Sequence, residues 1–330
     1  MQVIMGGSGS TGSSLLKNIL NRHHDIFSGG ETAFFAKKMI YEDWQKAKTR
    51  VLKRRFYGLR NYGWHIYNGT DLLQQEYLWD KNDLEKALVS SSSLNEFTTA
   101  YYEKALKLKS ANIWLEKTPA NSACFTLFLK SFPKGKAIHM VRNPFDTIAS
   151  LMSRGFDLYY ATGIYLLNTA SGVSTHDSSR IYTVKYEDLT SKPEETVGKI
   201  CTFLGVEFNS EMLEPQGEVV DNSQLEGWKY DETKAIGSGS VGRFNKLSDE
   251  TQHEILEAVN LIQINARGKD YYNTPVLNIE ELCVILGYDF YNIGKRSSYQ
   301  ILKKLQFKDR LTRIRRGYPT GFYYPLEIRH

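Results

Sequence analysis

Glycines and hydroxyl-bearing residues near the start of the sequence have the composition of a loop that binds phosphate. A short apolar run, residues 2–5, leads into Gly6 to Gly12, and an amphipathic segment begins at Ser13. Glycines let backbone N–H groups turn toward an anion, and a helix N-terminus adds partial positive charge. Nucleoside triphosphatases place a lysine after the last glycine, but this sequence has Ser13 and Ser14 there. We therefore expect phosphate binding of a different kind from that of an ATPase or GTPase.

Two arginines and a hydroxyl follow a second strand-like run. Arg142 comes directly after residues 137–141, at the end of a strand where ligands bind in open α/β sheets. Ser150 and Arg154 lie eight and twelve residues further on, a spacing that puts them on one face of one helix. Each residue alone would be an ordinary surface residue, but the set suits a phosphate monoester.

Two further charged residues could reach the same crevice. Lys117 follows the strand-like run 113–115 and precedes a turn proline, so it is expected at the edge of the sheet where Arg142 lies. Glu31 lies in the turn 28–32 after the first helical segment. Its spacing leaves two possibilities open, a carboxylate that caps a helix or a base near the phosphate loop.

Strand-like and helix-like segments alternate along most of the sequence. Runs typical of buried strands lie at residues 3–5, 113–115, 137–141 and 181–185. Helical patterns lie at residues 13–20, 120–131, 145–153, 159–170 and 194–204. The alternation predicts the α/β class, with a central parallel sheet flanked by helices on both faces.

Residues 33–110 depart from this alternation, because they are rich in aromatic and basic side chains and lack a convincing strand. We interpret them as a helical insertion that either packs on the core or forms a lid over an acceptor pocket. Glycine-rich residues 217–245 predict a long loop that is either functional or disordered, and helices are expected at 249–264 and 279–286. We expect residues 1–293 to form a single domain and residues 294–330 to form a basic C-terminal extension.

The composition is that of an ordinary soluble globular protein, with 41% hydrophobic residues and a net charge of +5. Basic residues concentrate at 46–60 and 295–316, either as solvated helix faces or as a collar for an anionic ligand or acceptor. No recognised nucleic-acid module accompanies them, and no run is long enough to span a membrane. The three cysteines, Cys124, Cys201 and Cys283, lie far apart among apolar neighbours. Together with the lack of a leader sequence, they predict a cytoplasmic location.

Taken together, these motifs resemble those of sulfotransferases that use 3′-phosphoadenosine 5′-phosphosulfate (PAPS). The matching segments are Gly7 to Leu16, residues 30–32 and 117–119, Arg142-Asn143-Pro144 with Ser150 and Arg154, and residues 186–189. Their order is most similar to the tyrosylprotein sulfotransferase branch and its bacterial relatives, as is the segment Leu286-Gly287-Tyr288-Asp289. The resemblance covers most of residues 2–290 and implies a P-loop-like sulfotransferase fold.

The resemblance also implies roles for the matching residues. The 5′-phosphosulfate of the donor would lie on Gly9, Ser10, Thr11, Gly12, Ser13 and Ser14. Its 3′-phosphate would bind Arg142, Ser150 and Arg154, and the nucleotide site would be completed by Tyr186, Gly242 and Arg243. Glu31 corresponds to the general base of the family and Lys117 to a lysine that stabilises the transition state. Ser238 corresponds to a serine that assists this lysine.

Two departures from the family pattern stand out. Many members carry Lys or Arg where Ser10 stands, so Lys117, the backbone amides and Arg243 would have to neutralise the leaving group. The cysteines of the secreted branch are absent, with Ser28 and Leu115 near those positions.

The sequence thus predicts sulfonyl transfer from PAPS to an acceptor hydroxyl, with the nucleotide product adenosine 3′,5′-bisphosphate (PAP). No metal is expected, because the strand 137–141 ends in arginine and not in an aspartate suited to magnesium. The acceptor could be a small molecule, a carbohydrate or a tyrosine, and the oligomeric state is not indicated. Two alternatives stay open: a small-molecule kinase, which would need the missing lysine and a carboxylate for magnesium, and a non-catalytic nucleotide-binding protein.

Overall fold

A computed structural model describes residues 1–53, 76–175, 179–215, 236–293, 299–315 and 326–328. Its centre is a parallel sheet of five strands in the order β2-β3-β1-β4-β5. The strands are β1 (Gln2–Gly7), β2 (Ile26–Phe27), β3 (Ile113–Lys117), β4 (Lys136–Val141) and β5 (Ile181–Lys185). The α/β prediction is confirmed, and all four predicted strands are present. The two-residue strand β2 was missed, since it is too short to give a periodic pattern.

The helices that connect these strands cover both faces of the sheet, as expected for parallel strands buried on both sides. Helix α1 (Ser13–Asn21) joins β1 to β2. In the described part of the connection between β2 and β3 lie α2 (Met39–Glu42), α3 (Trp44–Lys53), α4 (Lys81–Ser90) and α5 (Leu94–Lys109). The later connections contain α6 (Phe125–Ser131), α7 (Pro144–Ser153), α8 (Leu158–Val173), α9 (Tyr186–Ser191) and α10 (Pro193–Leu204).

The C-terminal part adds helices and a second, two-stranded sheet. The helices are α11 (Asp249–Leu261), α12 (Ala266–Tyr272), α13 (Ile279–Leu286) and α14 (Tyr299–Arg315). Strand β6 (Ile262–Ile264) pairs antiparallel with β7 (Leu326–Ile328).

Two predicted helices differ from the structure. The helix predicted at 249–264 ends at Leu261, because the alternating segment that follows pairs with β7 as a strand. The helix predicted at 120–131 begins as a 3₁₀ helix, Pro119–Cys124, and becomes α-helical only at Phe125.

The described part of the insertion 33–110 is helical, as predicted, and its aromatic side chains build a core. Trp114 of β3 stacks on Tyr102 with ring centroids 4.2 Å apart. Phe35 also stacks on Trp114, with ring centroids 5.2 Å apart. Trp44, Tyr77 and Tyr101 belong to the same cluster. These side chains therefore pack, while the aromatic residues at 56–67 lie outside the described residues, as does most of the loop predicted at 217–245.

Three further observations bear on the earlier expectations. All three cysteines are buried and unpaired. None of the helices in the described ranges is long and apolar enough to cross a membrane. The division into a domain at 1–293 and an extension at 294–330 stays a prediction.

Candidate active site

The predicted phosphate loop lies between β1 and α1, at the carboxyl edge of the sheet. The Thr11 hydroxyl donates to the Ser8 carbonyl at 2.8 Å, and Gly12 has a φ of 86° as the residue before the helix. A Cβ at Gly12 would lie 2.4 Å from the Tyr186 ring, so the position requires glycine. Within the described residues, the buried hydroxyls of Ser8 and Ser10 have no hydrogen-bond partner. Unpaired buried hydroxyls beside a helix N-terminus suit an anionic ligand.

Arg142 connects this loop to the glycine-rich loop that precedes α11. Its guanidinium donates to the Ser10 carbonyl at 3.0 Å and also to the Ser240 carbonyl. The guanidinium lies 4.7 Å from the centre of the Tyr186 ring, against which it packs. Burial lowers the pKa of Arg142, and the nearby Asp146 carboxylate opposes that shift. The predicted nucleotide residues Arg142 and Tyr186 are therefore in direct contact.

Asp146 holds the glycine-rich loop in place. Its two carboxylate oxygens accept from the backbone N–H groups of Gly242 at 2.7 Å and Phe244 at 2.8 Å. The carboxylate also lies 3.8 Å from the Arg142 guanidinium. Asp146 was not predicted from the sequence, although it lies in the first turn of α7, only four residues after Arg142.

A second group of cations lies at the far end of α7. Ser150 is buried on this helix, and Arg154 caps the helix after its last residue, Ser153. Arg243 donates to the Ser153 hydroxyl at 3.0 Å. Burial, and secondarily the charges of Arg243 and Arg142, lower the pKa of Arg154. Cations that disfavour one another in this way are suited to share an anionic group such as phosphate.

Glu31 and Lys117 meet beside the phosphate loop. Lys117 is the last residue of β3, and its Nζ contacts the Glu31 carboxylate and lies 3.2 Å from the Ser14 hydroxyl. The lysine side chain is 7% exposed, whereas that of Glu31 is 46% exposed. Glu31 does not cap a helix, because α2 begins only at Met39. A carboxylate, an ammonium and a hydroxyl thus converge at the predicted site.

Hydrogen bonds hold the backbone on both sides of Glu31. On one side, the buried Glu116 carboxylate accepts from the Thr32 N–H and hydroxyl at 2.9 and 2.8 Å. It also accepts from the Thr118 hydroxyl at 2.7 Å and the Asn121 amide at 2.6 Å. On the other side, Gly30 is bonded by two residues of the insertion, the Glu76 carboxylate at its N–H and the Tyr77 hydroxyl at its carbonyl.

Glu116 was not predicted as part of the site. Its one signal in the sequence is a carboxylate that directly follows the apolar run 113–115 of a strand, where burial requires partners. Burial raises the pKa of the Glu116 carboxyl, and the hydrogen bonds from Asn121, Thr118 and Thr32 act in the opposite direction.

Ser238 is not brought to Glu31 and Lys117. It is exposed, and its carbonyl accepts from the Val241 N–H at 2.8 Å. Ser238, Glu31 and Lys117 all belong to the described residues, and no hydrogen bond joins Ser238 to Glu31 or to Lys117. The motif segments 186–189 and 286–289 do meet, since the Glu187 carboxylate accepts from the Tyr288 hydroxyl and the Asn143 N–H, each at 2.9 Å.

Three neighbouring side chains that could together ligate a metal ion lie elsewhere in the described part of the chain. Ligand atoms of His23, His24 and Asp25 lie within 4.8 Å of one another. They precede β2 and so lie at the opposite edge of the sheet from Lys117. The His23 ring already contacts the Glu207 carbonyl at 2.9 Å and the Asp25 N–H at 3.1 Å. This cluster therefore has no part in the candidate site.

Comparison with known proteins identifies the family. The model of the sulfotransferase family matches residues 2–210, a range that includes Glu31, Lys117, Arg142, Ser150, Arg154 and Tyr186. A protein-tyrosine sulfotransferase of Drosophila melanogaster is 26% identical in an alignment of 222 residues that covers 64% of this chain and 39% of that protein. An uncharacterized protein of Aquifex aeolicus is 27% identical in an alignment of 128 residues that covers 34% of this chain and 17% of that protein. The chain thus spans well under half the length of these relatives.

A solved structure shows the same fold. The sulfotransferase domain of the Synechococcus PCC 7002 olefin synthase superposes with a TM-score of 0.51 at 20% identity. The superposition covers 75% of this chain and 88% of that domain. The family match over most of the chain and the shared fold lead to one conclusion: this chain belongs to the sulfotransferase family.

Proposed function

We propose that this protein transfers a sulfonyl group from PAPS to an acceptor hydroxyl. One observation carries the proposal: Lys117 contacts both Glu31 and Ser14, so an acid–base group, a cation and the phosphate loop share one point. A group-transfer site needs these three functions within reach of the reacting atoms.

The donor would lie along the carboxyl edge of the sheet. The loop from Gly9 to Ser14 binds its 5′-phosphosulfate through backbone N–H groups and the Ser10 hydroxyl, which has no partner among the described residues. Arg142, Ser150 and Arg154 bind its 3′-phosphate, with Arg243 nearby. Tyr186 and the backbone around Gly242 complete the nucleotide site.

The transfer step would use Glu31 as the general base. Its carboxylate removes the proton of the acceptor hydroxyl while that oxygen attacks sulfur in line, a contribution of about 10²–10⁴-fold in rate. The bond between sulfur and the bridging oxygen breaks, and PAP leaves. Lys117 stabilises the negative charge that grows on the bridging oxygen, which raises turnover because this charge is larger in the transition state than in the bound donor.

No step of this mechanism needs a metal ion. Arg243 lies beside Ser153, at the end of the site assigned to the 3′-phosphate. Neutralisation of the leaving group is therefore left to Lys117 and the loop amides, with Ser10 contributing a hydroxyl in place of the usual cation. Ser238 would assist only if its exposed loop rearranged around bound donor.

The acceptor belongs to one of three classes: a small molecule, a carbohydrate or a tyrosine. The name of the Drosophila relative supports tyrosine, and the half-exposed Glu31 leaves room for any of the three. The buried, unpaired cysteines support a reducing location such as the cytoplasm.

The test is the transfer of ³⁵S from labelled PAPS into a lysate of the source organism, followed by identification of the labelled product. Glu31→Gln should bind PAP as tightly as wild type and lose about 10²–10⁴-fold in turnover. Arg142→Ala should instead weaken PAP binding. Glu194→Gln, which changes an exposed glutamate of α10, is the matched control and should alter neither.

Three outcomes would contradict the proposal. Substantial turnover by Glu31→Gln would remove Glu31 as the base. PAP binding without transfer to any acceptor would identify a non-catalytic nucleotide-binding protein. Magnesium-dependent consumption of ATP with transfer of its phosphate would identify a kinase.

A further inference from the structure

Helix α14 presents a stripe of apolar side chains to solvent. Phe307, Leu311 and Ile314 are 65%, 38% and 58% exposed, and they lie at positions i, i+4 and i+7. Because a helix turns about 100° per residue, the three occupy an arc of about 60°. In the described part of the chain, the other exposed large apolar residues lie singly or in adjacent pairs. A stripe of this kind is typical of an interaction surface.

Exposed basic side chains border the stripe on both sides. Lys304, Lys308 and Arg315 lie on one side of it, and Arg310 lies on the other. The single acidic residue of residues 299–315, Asp309, is buried on the opposite face of the helix. The outward face of α14 is therefore apolar along its centre and positive along both margins.

The inner face of α14 is fixed to the body of the protein. Leu305 packs against the core cluster built on α8, and the Gln306 amide donates to the Tyr159 hydroxyl at 3.2 Å. Because the inner face of α14 already packs against the core, the outward stripe is available to an external partner.

We propose that the outward face of α14 binds the surface of an anionic lipid bilayer, with the helix lying in the plane of the surface. Apolar side chains enter the acyl boundary, while long basic side chains on either side reach the lipid phosphates. Seventeen residues make a helix of about 25 Å, which offers a long contact along such a surface. A second copy of the chain fits less well, because the positive margins of two copies would repel each other.

The test is flotation of the full chain with lipid vesicles. Wild type should bind vesicles containing roughly one third phosphatidylglycerol, bind pure phosphatidylcholine far less, and be released by added salt. Lys304→Gln with Lys308→Gln should weaken binding about tenfold or more. Phe307→Ser with Leu311→Ser should weaken it by a similar factor, since burial of the stripe is lost.

Matched controls remove the same groups from other helices. Lys46→Gln with Arg50→Gln removes two exposed cations, also four residues apart, from α3. Val284→Ser with Ile285→Ser removes two exposed apolar side chains from α13. Both controls should bind vesicles as wild type does, and thermal unfolding verifies that every variant is folded.

Three results would overturn the proposal. The first is that wild type fails to bind anionic vesicles, and the second is that the control variants lose binding as much as the α14 variants do. Light scattering could instead detect self-association that Phe307→Ser with Leu311→Ser abolishes, which would assign the stripe to a second copy. No result depends on sulfonyl transfer, so the proposed function and this surface are tested separately.

Discussion

Glu116 carries a fully buried carboxyl group beside Glu31 and Lys117, the proposed catalytic pair. Its four hydrogen bonds come from Thr32, Thr118 and Asn121, so it ties the segment after Glu31 to the segment after Lys117. A buried group with so many donors stabilises a single geometry, because any other arrangement leaves buried polar groups unpaired.

Replacing Glu116 should affect stability and turnover in a graded way. Glu116→Leu removes the acceptor of four buried hydrogen bonds and should lower the free energy of unfolding by about 3–5 kcal/mol. Glu116→Gln keeps one oxygen acceptor and should cost about 1 kcal/mol. Urea unfolding measures both, and kcat should fall more than the affinity for PAP. Equal losses in the two variants would contradict the role assigned to the oxygen atoms.

The sequence predicts which strand ends carry site residues, but not the contacts that hold those residues. Lys117 and Arg142 could be placed because the carboxyl ends of parallel strands share one edge. Glu116 and Asp146 could not, since each accepts from a distant backbone N–H group: that of Thr32 lies 84 residues from Glu116, and that of Gly242 lies 96 residues from Asp146. Pairings of this kind depend on the packed fold, which no local pattern encodes.

At the scale of elements, the insertion between β2 and β3 does more than pack aromatic rings. Its residues Glu76 and Tyr77 bond the backbone of Gly30, the residue before Glu31. The insertion and Glu116 therefore hold the proposed base from opposite sides. The sequence suggested a helical insertion but not this contact, because Tyr77 is one of many aromatic residues there.

Tyr77→Phe should reduce turnover with little change in stability. The substitution keeps the buried ring and removes the hydroxyl that donates to the Gly30 carbonyl, a hydrogen bond worth about 0.5–1.5 kcal/mol. We expect kcat to fall several-fold with unchanged PAP affinity, measured by steady-state transfer of labelled sulfonyl. Tyr101→Phe is the control, since it removes a hydroxyl from the neighbouring ring in the same cluster. A drop in kcat of the same size in both variants would exclude a specific role for Tyr77.

At the scale of the whole molecule, one buried imidazole makes stability depend on pH. His139 of β4 is fully buried, neither ring nitrogen has a partner within the described residues, and Gly172 packs directly on the ring. Burial lowers the pKa of His139 from 6.5 to about 4. Between these two pH values the unfolded chain binds a proton that the folded protein excludes, so stability is complete above pH 6.5 and falls as the pH drops.

This group alone should lower the free energy of unfolding by about 3 kcal/mol between pH 6.5 and pH 4. His139→Leu should flatten the dependence of that free energy on pH in this range, as measured by urea unfolding at several pH values. His253→Gln is the control, because it removes an exposed imidazole that water solvates in both states. A slope in His139→Leu equal to that of wild type would contradict the assignment.

The central position of β1 has a consequence for how the chain folds during synthesis. Gln2 pairs with Trp114, and the other side of β1 pairs with β4, so β1 has no partner strand until more than a hundred further residues exist. At about 5–20 residues per second, an apolar strand waits about 6–20 s on the ribosome with its backbone groups unpaired. Such a strand is a template for wrong pairing between nascent chains, so this protein should depend on chaperones while it is made.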